Sequence, residues 1–141
     1  MKTAGISLAA LTLTAAITFA GQASAEKLKA TLNGASEVPA NTSKGTGTVA
    51  ANYDPASKKL TWKLTYSGLT GPATAAHFHG PAAVGQNAGV EVPIPHATSS
   101  PAEGSATLTN AQAAELLAGK FYVNVHTAAH PGGEIRGQVT K

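Results

Sequence analysis

From residue 27 onward, apolar and polar side chains alternate in short runs separated by Gly, Pro, Asn and Asp. Residues 27–32 put Leu28, Ala30 and Leu32 on one face, and residues 45–53 put Val49, Ala51 and Tyr53 in phase. The cleanest run is 59–66. There Leu60, Trp62, Leu64 and Tyr66 face one way while Thr61, Lys63 and Thr65 face the other, the period-two pattern of a half-buried strand. Asn52-Tyr53-Asp54-Pro55 marks the turn between the second and third runs. Further strands are expected over 74–79, 90–94, 104–108, 121–127 and 134–140. Pro93 and Pro95 lack the N–H that a ladder needs, which assigns 90–94 to a sheet edge.

One segment departs from period two. Thr109-Asn110-Ala111-Gln112 has the form of a capping box, in which the Thr hydroxyl and the Gln amide each satisfy a backbone N–H left free at a helix start. Ala113, Ala114, Glu115, Leu116 and Leu117 follow, and Gly119 stands where a helix ends. The spacing predicts one short helix over about 110–118, with Leu116 and Leu117 plugging one end or edge of the sheet. Many short strands with one short helix predict an all-β fold: a Greek-key β-sandwich or barrel of about seven or eight strands, as a single domain over 26–141.

Residues 1–25 read as a secretory signal. Lys2 supplies the basic start, Thr3 to Ala20 an uncharged stretch, and Ala23-Ser24-Ala25 a small-x-small cleavage site. The stretch is rich in Ala and Thr and short against the roughly 20 mostly apolar residues of a membrane span. The expectation is therefore an exported protein, periplasmic or secreted, with no membrane span after cleavage. The pI of about 9.3 then loses weight. Without Lys2, nine Lys and Arg face seven Asp and Glu, and no basic cluster exists to grip a phosphate backbone, so nucleic acid is not expected as a partner. Charged residues at 12% are too few for a disordered polyelectrolyte. The absence of cysteine excludes a disulfide, a thiolate metal site and a cysteine nucleophile. No G-x-S-x-G is present, the sole aspartate is Asp54 in a turn, and Glu91 and Glu134 form no obvious carboxylate pair.

Histidine is the residue type left to carry chemistry. Phe78 is the bulky apolar residue of 74–79, so His77 and His79 point away from it together. Phe121, Val123 and Val125 are in phase, which sends Tyr122, Asn124 and His126 to the opposite face. Ile135 and Val139 point inward, and Glu134, Arg136 and Gln138 outward. Three histidines and an arginine are thus expected on the solvent side of the sheet. In His-x-His on a strand the two Cα atoms are roughly 6.6 Å apart on one face, from two rises of about 3.3 Å, so both rings can lean onto one ion. Neutral imidazole suits copper, zinc and nickel. His126 is the candidate third ligand, and His130, or His96, both in loops, a fourth. The competing reading is that exposed histidines only tie loops together, for example His126 across to the Gly132-Gly133 turn.

Ala76-His77-Phe78-His79-Gly80-Pro81-Ala82, then Leu108-Thr109 and a short helix, then Tyr122-Val123-Asn124-Val125-His126-Thr127 and Pro131-Gly132-Gly133-Glu134-Ile135-Arg136-Gly137-Gln138-Val139, resemble the CHRD domain family named after chordin. Leu32-Asn33-Gly34-Ala35-Ser36-Glu37-Val38-Pro39 resembles its opening. A weaker likeness is to copper/zinc superoxide dismutases, whose motifs run in the same order: His77-x-His79, Val125-His126, Gly132-Gly133-x-x-Arg136. That likeness implies copper ligation by His77, His79 and His126, with Arg136 as an anion-guiding residue. The departures are the missing cysteine pair and the missing zinc-binding loop, which leave a copper-only site at most. Three functions follow: an exported metal-binding protein, with copper as the expected ion; a structural or interaction module without metal, engaging an extracytoplasmic protein; or a dismutase-like copper redox enzyme.

Overall fold

The computed structural model describes residue 21 and residues 23–141, so the signal-like segment of 1–25 lies almost wholly outside the described residues. No helix among the described residues is long and apolar enough to cross a membrane. Eight strands form one antiparallel, nearly closed barrel-like sheet: β1 (Glu26–Asn33), β2 (Thr46–Asp54), β3 (Lys59–Ser67), β4 (Ala73–His79), β5 (Val90–Pro93), β6 (Ala102–Thr107), β7 (Tyr122–Thr127) and β8 (Ile135–Gln138). The spatial order is β5-β4-β7-β8-β1-β2-β3-β6. All eight expected strands are present, and the segment with two prolines is an end strand, where a missing N–H costs no ladder bond.

The alternation seen in the sequence becomes rows across the barrel. Ala30, Val49, Leu64 and Ala102 lie side by side on β1, β2, β3 and β6, all buried. The adjacent row is Leu28, Ala51, Trp62 and Gly104. Trp62 fits because its neighbours are small: a Cβ on Gly104 would lie 2.8 Å from the indole ring. The ring reaches across the interior to Phe78 of β4, edge-on, with centroids 5.2 Å apart.

The helix α1 (Asn110–Leu117) has the expected capping box, with the Thr109 hydroxyl accepting from Gln112 N–H and the Gln112 side chain accepting from Thr109 N–H. Leu116 is buried against the core and Leu117 partly so. Gln112 also donates to the Glu91 carboxylate at 2.9 Å, which holds α1 against β5.

One expectation fails. Period two places Glu134 and Arg136 on the outer face of the sheet, but that face is not open to solvent: Glu134 is 0% exposed and Arg136 2%. Loops fold over it. Glu134 accepts from Ser43 Oγ (2.6 Å), Thr70 N–H (2.8 Å), Thr70 Oγ1 (2.9 Å) and Thr127 Oγ1 (2.7 Å). Burial pushes this carboxyl up, but the hydrogen bonds outweigh burial and hold its pKa at about 2. It knots the 41–45 and 68–70 loops to β7.

Candidate metal centre

Adjacent strands bring the three expected histidines together. β4 pairs with β7 so that His77 faces Asn124 and His79 faces Tyr122, with His126 one step further along. His77, His79 and His126 each offer one ring nitrogen, and these three nitrogens lie within 4.8 Å of one another. A trigonal ion bound at about 2.0–2.1 Å separates its nitrogens by about 3.5 Å, the spacing that the three would have to reach from their present separations of up to 4.8 Å. The closest pair is His77 Nδ1 and His126 Nε2, at 3.1 Å.

The opposite nitrogens are tied down. His126 Nδ1 is 2.9 Å from the Pro131 carbonyl, and His79 Nδ1 is 3.0 Å from the Ala88 carbonyl. A carbonyl only accepts, so each of these Nδ1 atoms carries the proton and each Nε2 keeps its lone pair. This is the arrangement that orients metal-binding imidazoles. His79, expected on the solvent side, is instead buried at 8% exposed, covered by loop 80–89 and the Tyr122 ring, and its Nε2 has no hydrogen-bond partner. The donor set is therefore Nε2 of His79 and of His126 with Nδ1 of His77, which in the metal-free chain donates its proton to His126 Nε2 and must pass that proton to its own Nε2 before it can bind an ion. Burial, then the charges of His126 and His79, hold the His77 pKa below the usual imidazole value. Burial lowers that of His79 against the opposing bond to Ala88. Both effects favour the neutral ligand form.

His130 and His96 are not in the group. The His130 backbone closes the turn after β7 through bonds with Thr127 and Gly133, and His96 lies exposed in a turn with φ 59°. Arg136 does not stand free beside the cluster. Its Nη1 donates to Asn87 Oδ1 at 2.8 Å, Nη2 donates to the Gln86 carbonyl, and Cζ sits 3.5 Å from the centroid of the Tyr122 ring. The other partner of that ring is His79, stacked at 4.8 Å and nearly parallel.

Three residues of the centre carried no signal on their own. Tyr122 and Asn124 share the phase of His126, but only the folded loops reveal their partners. Glu37, in the opening motif, is 6% exposed with Oε1 unpartnered, and its carboxyl and the Asn124 amide both crowd against Gly133. Burial pushes its carboxyl up to about 7, against the lowering charge of Arg136. A Cβ on Gly133 would collide with both the Glu37 carboxyl and the Asn124 amide, and Gly133 has φ 128°, so glycine meets both demands.

Comparison with known proteins gives one match: the family model described as CHRD domain aligns with residues 28–139. No curated protein and no solved structure matches the chain.

Proposed function

The chain belongs to the CHRD domain family, and on this fold we propose an exported protein that binds a transition metal, copper first, through His77, His79 and His126. The observation that carries the proposal is the convergence of three imidazole nitrogens, one of them the buried and unpartnered Nε2 of His79. An all-nitrogen set without carboxylate suits copper, zinc or nickel, and copper binds most tightly to such ligands. The composition of residues 1–25 supports export. Titration of the purified chain with Cu(II) and Cu(I), beside the double variant His77→Ala/His79→Ala, tests the reading. Wild type takes up one equivalent and the double variant loses that site; equal weak binding by both contradicts it.

A second reading has its own observation. The bonds from His79 Nδ1 to Ala88 and from His126 Nδ1 to Pro131 tie two loops to the sheet with or without metal. On that reading the chain is an interaction module for an extracytoplasmic protein, as its family membership also allows. Partner binding that survives replacement of all three histidines favours it. Dismutase-like redox catalysis draws less support, because Arg136 is buried and engaged by loop 80–89. Superoxide turnover by the copper-loaded chain no faster than by free copper would exclude it.

A further inference from the structure

We infer that Arg136 is a positioning residue for the histidine centre, acting through loop 80–89 to fix which nitrogen His79 presents. The inference rests on the metal-binding reading above. A continuous run of contacts joins the two residues. The guanidinium is held by two acceptors of the loop, the Gln86 carbonyl and Asn87 Oδ1, and it covers the ring of Tyr122. Asn87 is in turn anchored by its Nδ2 donating to the Val38 carbonyl at 3.1 Å. Tyr122 Oη accepts from Ala88 N–H at 3.1 Å and donates to the Ala88 carbonyl at 3.2 Å. That same carbonyl takes the proton of His79 Nδ1 at 3.0 Å. Ala88 is therefore held directly by Tyr122 of β7, with Arg136 of β8 anchoring the two residues before it, and its carbonyl dictates the tautomer of a ring on β4.

A planar fork that is always charged suits this task. It engages two acceptors set by consecutive residues while lying flat on an aromatic ring, which an ammonium group cannot do at once. Its burial agrees: a residue guiding anions from solvent needs exposure, and Arg136 has almost none. Without the Arg136 latch the loop loses the anchor of the two residues before Ala88, and the Ala88 carbonyl, left to the Tyr122 bonds alone, is held less firmly against His79. The imidazole then protonates on either nitrogen, and the Nε2–H form cannot bind a metal through that atom.

Long-range 1H–15N correlation spectra of the metal-free, 15N-labelled chain read the tautomer directly. Wild type shows His79 protonated on Nδ1 and bare on Nε2. Arg136→Met is expected to shift a substantial fraction of His79 to the Nε2–H form and to weaken Cu(II) binding by about 10- to 100-fold, the usual effect of losing an outer-shell partner. Arg136→Lys restores neither fully. Loss of folding alone lowers the melting temperature without moving the tautomer of the folded population. If Arg136→Met does not fold, Tyr122→Phe decides, since it keeps the ring and removes both bonds to Ala88. A folded variant with an unchanged His79 tautomer and wild-type copper affinity would overturn the inference. A tautomer shift in a chain that takes up no copper supports the latch and counts only against the metal-binding proposal.

Discussion

Two buried glutamates give the chain opposite responses to pH. Glu134 is ionised in the fold down to a pKa of about 2, against 4.5 for a free side chain. Between those values the unfolded chain binds more protons than the folded one, so stability rises with pH, and the contribution is lost as pH falls from 4.5 towards 2. The full swing is about 3 kcal/mol. Glu37 runs the other way. Its carboxyl stays protonated in the fold up to about 7, so from pH 4.5 to 7 the folded state holds the extra proton and stability falls as pH rises, again by about 3 kcal/mol. Urea unfolding of the metal-free chain across this range checks both. Glu134→Gln is expected to flatten the acid limb while lowering stability at neutral pH, because an amide cannot accept as the carboxylate does. Glu37→Gln is expected to remove the decline between 4.5 and 7 and to leave the acid limb in place. Strand phase alone located the histidines, since His77, His79 and His126 follow from where Phe78 and Val125 must point. The burial of Glu134, Arg136 and Glu37 was not legible, because a period of two assigns a face but not what folds over it.

At the scale of elements, the strongest local signals hold. The capping box at Thr109 and Gln112 starts α1 as its chemistry requires. Thr109→Ala removes one of its two bonds and is expected to cost about 1 kcal/mol, seen as a modest fall in melting temperature. Leu116→Ala is expected to cost more, about 2–5 kcal/mol, since this fully buried side chain closes the barrel interior and leaves a cavity. Element ends were less legible. β6 begins at Ala102 rather than 104, and β8 ends at Gln138, past which Thr140 makes an isolated bridge with Lys29. Ladder partners set these limits, and such partners are distant in sequence. Loop 80–89 reads as unstructured in the sequence, yet its carbonyls hold Arg136, His79 and Gln138.

For the whole molecule, an all-β barrel with one helix was readable from period and turn residues, whereas the strand order was not. β7 lies between β4 and β8, and this placement alone sets His126 beside His77. The centre is thus a product of topology: a two-residue motif on one strand meets a third ligand 47 residues later. Pulsed EPR of the chain loaded with one equivalent of Cu(II) tests that claim most directly. Three coupled imidazoles are expected in wild type and two in His126→Ala. A wild-type spectrum with one imidazole or none, or one unchanged by replacing His77, His79 and His126 together, would contradict it.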